Sequence, residues 1–122
     1  MTKQILLVED NSSNRELFVE IIRLNKKYEV HVADSGLKAL EMLETFHPDL
    51  ILMDIHMPEM DGLAVTRTIK STPELSSIPV VALSALAMKS DIESAIEAGC
   101  SGYITKPVRI KSFMDELEMY TK

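Results

Sequence analysis

Several apolar runs in this 122-residue sequence are each followed by a side chain that can take part in chemistry. These side chains are three carboxylates, one hydroxyl and one lysine: Glu9 and Asp10, Asp54, Ser84, and Lys106. Two carboxylates held ~4 Å apart repel by about 4 kcal/mol at an effective dielectric of ~20. A hard cation such as Mg²⁺ relieves that repulsion and keeps positions open for water or phosphate. The sequence therefore indicates a candidate magnesium site, provided that the fold brings these residues together.

Phosphorus chemistry is the reaction type that this set of residues favours. A carboxylate beside a divalent cation can act as a nucleophile toward phosphorus, which makes Asp54 the candidate nucleophile. Charge that develops on phosphoryl oxygens needs nearby cations and hydrogen-bond donors. Lys106, the hydroxyl of Ser84 and the backbone amide of Ala85 can supply them.

Each of these residues alone has an ordinary structural interpretation. An Asp at the end of a strand is commonly a helix cap or a turn residue, and a lone Ser is commonly a cap. A Lys-Pro step is commonly a solvated turn. Only their joint placement in one crevice favours a functional interpretation, so the fold decides between the two.

Apolar runs alternate with amphipathic stretches five times along the chain. The runs are Ile5–Val8, Tyr28–Val32, Leu50–Met53, Ile78–Leu83 and Tyr103–Ile104. Such alternation predicts a single α/β domain over residues 1–122, a (βα)5 three-layer sandwich with a parallel sheet. The first, third and fourth runs are uniformly apolar, as in central strands, whereas the second alternates and the fifth is short, as at edges. These features fit the flavodoxin-like strand order 2-1-3-4-5, in which crevices form at the carboxyl ends of the strands.

Capping patterns predict where two of the helices begin and where one ends. Ser13 and Glu16 have the spacing of a capping box for the first helix, and Ser90 and Glu93 have it for the fourth. Gly99 is expected to end the fourth helix.

Composition and charge exclude several classes of protein. The formal net charge of -6 disfavours binding to a nucleic-acid backbone. No apolar run approaches the ~18 residues of a membrane span, and the N-terminus lacks a signal-peptide pattern, so we expect a cytoplasmic protein without membrane contact. The lone cysteine, Cys100, is expected to be a buried structural residue rather than a reactive thiol.

Longer motifs around the candidate residues carry a family resemblance over essentially the whole chain. The motifs are Ile5–Asn11, Asp49–Gly62, Pro79–Ala85 and Gly102–Pro107. In these segments the sequence resembles the response-regulator receiver domains, both single-domain regulators and receivers attached to hybrid kinases. The resemblance implies a phosphoacceptor of a two-component system or phosphorelay, not an enzyme, with a histidine kinase or histidine phosphotransfer protein as phosphodonor. Since the chain opens with Met1 and ends soon after its last apolar position, a single-domain regulator is expected.

The resemblance also implies roles for individual residues. Asp54 would be the phosphoacceptor, and Mg²⁺ would be held by Glu9, Asp10, Asp54 and the backbone carbonyl of His56. The acidic pair is Glu-Asp where many members have Asp-Asp, a departure that leaves the expected chemistry unchanged. The side chain of His56 is expected to point to solvent rather than to bind metal.

The remaining implied roles concern the phosphoryl group and a conformational switch. Ser84 and the backbone of Ala85 would hydrogen-bond the phosphoryl group, and Lys106 would pair with it, aimed by a cis bond to Pro107. Movement of Ser84 would let Tyr103 turn inward. The surface of the fourth helix, fifth strand and fifth helix would then bind a downstream effector protein.

Three other functions remain as alternatives. A phosphatase with an aspartyl nucleophile commonly carries an acid two residues after that nucleophile, where this chain has His56. A flavin-binding module needs a phosphate loop after its first strand, where Glu9 and Asp10 would repel the phosphate. A degenerate receiver, used only for docking, would lack some of the acidic and basic residues that are present here.

Overall fold

The computed structural model describes residues 2–57, 61–85 and 88–122, in which five strands alternate with five helices. The strands are β1 (Lys3–Val8), β2 (Tyr28–Ala33), β3 (Leu50–Asp54), β4 (Val80–Ser84) and β5 (Gly102–Thr105). The helices are α1 (Ser12–Arg23), α2 (Gly36–Met42), α3 (Gly62–Ser71), α4 (Lys89–Ala98) and α5 (Ile110–Tyr120).

The strands form one parallel sheet in the order β2-β1-β3-β4-β5, which confirms the predicted flavodoxin-like topology. The uniformly apolar strands β1, β3 and β4 are central, and β2 and β5 form the edges. In the register, Val8 pairs with Met53 and Asp54 pairs with Leu83. The residues that follow β1, end β3 and end β4 therefore lie beside one another at the carboxyl edge of the sheet.

Alternate residues of the central strands supply two separate cores, one on each face of the sheet. Leu6 and Ile51 belong to the core that α2, α3 and α4 cover. Ile5 and Leu50 belong to the core that α1 and α5 cover. The resulting three-layer sandwich was expected, because a strand covered on both faces needs apolar residues at every position.

The predicted capping box of α1 is wrong. The helix begins at Ser12, and the side chain of Asn11 caps it by accepting the Asn14 N–H at 2.9 Å. An amide oxygen at this position satisfies a free N–H of the first turn as well as a serine hydroxyl does. Ser13 consequently lies inside the helix.

The predicted cap of α4 is also wrong, although its predicted end is confirmed. This helix begins at Lys89 after Met88, with no side-chain capping bond. Glu93 forms an exposed ion pair with Lys89 at 3.9 Å instead of closing a capping box with Ser90. Gly99 ends the helix with φ at +110°, in the left-handed region that favours glycine.

The described helices are short. The longest, α1, has 12 residues, and no helix in the described part of the chain combines the length and apolarity of a membrane span. Cys100 is buried just beyond α4, as predicted.

Candidate functional site

A cleft lies at the carboxyl edge of the sheet, above β1, β3 and β5. The residues that line it come from the end of β3, the first turn of α1 and the loops after β1, β3, β4 and β5: Glu9, Asp10, Asn11, Asn14, Asp54, His56, Met57, Ala85 and Lys106. The topology therefore brings together the three predicted carboxylates and the predicted lysine.

The three carboxylates form a compact cluster. Glu9, Asp10 and Asp54 each contribute an oxygen atom, and these atoms lie within 4.8 Å of one another. Glu9 is fully buried and Asp54 is only 4% exposed, whereas Asp10 is half-buried. Proximity and burial make mutual repulsion strong, because little water remains to screen it.

Lys106 is the cation that faces this cluster. Its Nζ lies 2.8 Å from Oε1 of Glu9 and 3.6 Å from Oδ2 of Asp54. The backbone N–H of Lys106 donates to the carbonyl of Ser84 at 2.7 Å, which ties the loop after β5 to the end of β4. The peptide bond between Lys106 and Pro107 is cis, as expected.

Burial and the neighbouring charges together shift the titration of the Glu9 carboxyl. Burial raises the pKa of the Glu9 carboxyl above its usual range, and the neighbouring Asp54 raises it further. Lys106 lowers that pKa and offsets part of the effect. Burial is thus the main cause, and the net result favours the neutral form of this carboxyl.

Backbone donors orient the two buried carboxylates. The His56 N–H donates to Oδ1 of Asp54 at 3.1 Å, and the Asn11 N–H donates to Oε2 of Glu9 at 3.3 Å. These bonds fix the carboxylates within the cleft. The side-chain atoms that could bind a metal ion here are all carboxylate oxygens, which fits Mg²⁺ and other hard divalent cations.

The other predicted residues lie on β4 and β5. Ser84 is buried at the end of β4, directly before the exposed Ala85 that lines the cleft. Tyr103 is half-buried on β5 and packs against the core beneath α3 and α4. The side chain of His56 is exposed at the rim.

Sequence reasoning missed three residues around the acidic loop, Asn11, Asn14 and Arg15. Asn11 and Asn14 line the cleft, and the Nη1 of Arg15 donates to the Glu9 carbonyl at 3.0 Å. The asparagines follow the acidic pair closely enough to have been suspected. The contact of Arg15 depends on how a long side chain folds back, which the spacing alone does not reveal.

Comparisons with known proteins agree with this geometry. The model of the response regulator receiver domain family matches residues 5–118. The polar-differentiation response regulator DivK of Brucella ovis is 45% identical over 120 residues, covering 98% of this chain and 97% of DivK.

Two solved structures are similar in both sequence and fold. The receiver domain of a histidine kinase from Syntrophus aciditrophicus has 32% identity and a TM-score of 0.89, covering 98% of this chain and 90% of that one. The receiver domain of a sensor histidine kinase from Pseudomonas aeruginosa has 31% identity and a TM-score of 0.90, covering 99% and 98%. That structure has a magnesium ion coordinated in its active-site cleft. On the family match, the sequence identity and the fold together, this chain belongs to the response regulator receiver domain family of two-component signalling proteins.

Proposed function

We propose that Asp54 accepts a phosphoryl group from the phosphohistidine of a histidine kinase or a histidine phosphotransfer protein. One observation carries this proposal. The Asp54 carboxylate belongs to an acidic cluster within 4.8 Å and also lies 3.6 Å from the Nζ of Lys106. A nucleophile between a cation site and a fixed positive charge is what transfer of a negatively charged group requires.

Mg²⁺ is the proposed cofactor, held by Glu9, Asp10, Asp54 and the backbone carbonyl of His56. Three carboxylates with oxygen atoms within 4.8 Å of one another support a divalent cation in this cleft. When bound, Mg²⁺ would supply positive charge against the phosphoryl oxygens and offset the repulsion among the acids.

The chain's own residues would then carry out the transfer. An oxygen of Asp54 forms the new bond to phosphorus while the bond from phosphorus to the donor's histidine nitrogen breaks. The released imidazole keeps the electron pair of that bond and takes a proton from solvent as needed. Lys106, the Ser84 hydroxyl and the Ala85 backbone N–H donate to the phosphoryl oxygens and stabilise their charge.

The proposed output is a rearranged protein-binding surface. A phosphoryl group adds a charge of about -1.5 to -2 and three acceptor oxygens, which would draw Ser84 inward and let Tyr103 follow. The surface of α4, β5 and α5 would change as a result and bind an effector protein. Exposed apolar side chains on this surface, Ile96, Ile110 and Met119, suit such a partner. A shift from a mostly inactive to a mostly active population requires phosphorylation to favour the active state by up to ~5.5 kcal/mol.

Three finer points belong to the same proposal. The chain is a signalling acceptor rather than an enzyme, since His56 stands where aspartyl phosphatases commonly carry an acid. Its formal net charge of -6 disfavours a nucleic-acid partner. The cytoplasmic location expected from the sequence stays a prediction.

Labelling with a small phosphodonor tests the acceptor assignment. The protein is incubated with acetyl phosphate and Mg²⁺, and its intact mass is measured over time. The parent should gain one phosphoryl group and Asp54→Asn should gain none. Asp34→Asn is the matched control, because Asp34 is an exposed acid that follows β2 at the same edge of the sheet, and it should label like the parent.

Two outcomes would contradict the proposal. Labelling of Asp54→Asn at the parent's rate would show that another residue is the acceptor. Sustained turnover of an added phosphomonoester would favour the phosphatase instead.

A further inference from the structure

Arg15 breaks two local preferences of α1. The buried residues Phe18 and Ile22 follow it by three and seven positions, so Arg15 lies on the helix face that turns toward the sheet. It is also the fourth residue of the helix, near the end where the helix dipole disfavours positive charge. A charged residue in this position needs specific partners, and such departures from local preference concentrate at functional sites.

The side-chain partners of Arg15 are two consecutive carbonyl groups of the loop from β1 to α1. Its Nη1 lies 3.0 Å from the carbonyl oxygen of Glu9 and 3.4 Å from that of Asp10. Its backbone N–H makes the ordinary helical bond to the carbonyl of the capping residue Asn11, which does not depend on the side chain. One residue thus fixes the orientation of the peptide groups that carry both acids of the loop.

We infer that Arg15 is a positioning residue, which sets the Glu9 and Asp10 carboxylates for a divalent cation. Binding the carbonyls on the backbone side leaves the carboxylate oxygens directed to the cleft, while the guanidinium charge reduces repulsion among the acids. Groups that orient metal ligands in this way typically change metal affinity 10-fold to 100-fold when removed. The inference rests on the proposed Mg²⁺ site.

Arg23 provides a matched control for Arg15. Both arginines lie on α1 and line the same groove against β2, but Arg23 is in the last turn, two turns from the acidic loop. Arg15→Met and Arg23→Met remove the same charge and the same donors and keep a similar apolar stem. Only the first removes the contacts with the carbonyls of Glu9 and Asp10.

The experiment measures the dissociation constant for Mg²⁺ by calorimetry, together with the free energy of unfolding of each metal-free protein. We expect Arg15→Met to weaken Mg²⁺ binding about tenfold and Arg23→Met to change it less than twofold. A merely structural role for Arg15 would lower the free energy of unfolding and leave the dissociation constant unchanged, which would overturn the inference. Equal weakening in both variants would also overturn it, since net charge would then explain the effect.

A second variant, Arg15→Gln, tests the inference if Arg15→Met does not fold. Arg15→Gln keeps a shorter donor that reaches fewer carbonyls, so weaker binding than in the parent supports the inference and equal binding overturns it. Failure of the proposed function looks different, because the parent itself would then bind no Mg²⁺ or would not be labelled at Asp54.

Discussion

The amino edge of the sheet, where the parallel strands begin, and the carboxyl edge, where they end, differ in how their polar groups are partnered. At the amino edge, Lys70 donates to the carbonyls of Ser76 and Ile78, and the hydroxyl groups of Tyr28 and Thr121 lie 3.2 Å apart. At the carboxyl edge, three carboxylates cluster, and the Nζ of Lys106 lies 2.8 Å from one of them, Glu9, and 3.6 Å from another, Asp54. These polar groups of the amino edge have partners within the same chain, whereas the carboxyl edge holds an excess of like charge.

This difference shows which polar groups serve the fold and which serve the site. A buried polar group with good partners stabilises the chain and needs nothing from outside. Buried like charges destabilise the chain until a ligand of opposite sign arrives. The carboxyl edge is therefore the part of the molecule whose energy depends on an external cation.

Replacement of a lysine at each edge should give the largest contrast. Lys106→Met removes the cation beside two buried carboxylates and should lower the free energy of unfolding by about 3 kcal/mol without metal. Lys70→Met removes donors from neutral carbonyls and should cost about 1 to 2 kcal/mol. Urea unfolding with and without Mg²⁺ measures both, and Mg²⁺ should restore stability to a greater degree in Lys106→Met. Equal responses of the two variants to Mg²⁺ would remove the distinction between the edges.

Mg²⁺ itself should stabilise the parent through the carboxyl edge. At a concentration about 100 times its dissociation constant, it should raise the free energy of unfolding by ~2.7 kcal/mol. Asp10→Asn should lose most of this increment because it removes a ligand. Tyr28→Phe, at the amino edge, should lower stability by about 1 kcal/mol and keep the increment. An Asp10→Asn variant that retains the full increment would place the cation elsewhere.

A glycine at each edge allows a similar comparison of close packing. A Cβ on Gly62 would clash with the backbone oxygen of Asp54, whereas one on Gly102 would meet the side chain of Tyr120, which can shift more readily than backbone. Gly62→Ala should therefore cost about 2 kcal/mol and slow labelling, because the backbone beneath Asp54 must shift. Gly102→Ala should cost less and label normally. Unfolding and labelling rates check both, and normal labelling of Gly62→Ala would show that the backbone of Asp54 tolerates displacement.

The sequence was sufficient to predict strand order and the principal acids. Uniformly apolar runs identify central strands because both faces of the sheet are covered, and parallel strands bring their carboxyl ends to one edge. Glu9, Asp54 and Lys106 could therefore be placed together before any coordinates existed. The predictions that Ser13 and Ser90 cap their helices were wrong, because capping depends on local backbone geometry. Several neighbouring polar residues can have the right side chain, and the sequence does not show which one has that geometry.

What the sequence did not predict depends on long side chains and on burial. The contact of Arg15 with the acidic loop requires a particular path for its side chain, and many paths are compatible with helical spacing. The complete burial of Glu9 and its ion pair with Lys106 depend on how the loops after β1 and β5 meet. Residue types are thus predictable at this site, while the electrostatic balance among them requires the structure.

Replacement of Cys100, at the amino edge, should give the smallest change in stability. Its pH dependence tests whether burial at that edge disfavours a charged group. Burial raises the pKa of its thiol, partly countered by a hydrogen bond with Thr66 and by the charge of Lys70. A pKa that is higher in the folded state means that stability is full below the unfolded value, ~8.5, and falls as pH rises above it.

The measurement compares the free energy of unfolding of the parent and Cys100→Ala under reducing conditions at neutral and alkaline pH. The parent's advantage should shrink as the pH rises above the unfolded pKa, because the thiol ionises more readily in the unfolded chain than in the folded one. Titration of groups that do not contact Cys100 is common to both proteins and largely cancels in the difference, whereas Lys70, whose pKa the Cys100 charge raises, contributes to it. A difference that is independent of pH would mean that the buried thiol ionises as readily as in the unfolded chain, and that burial at this edge does not disfavour charge.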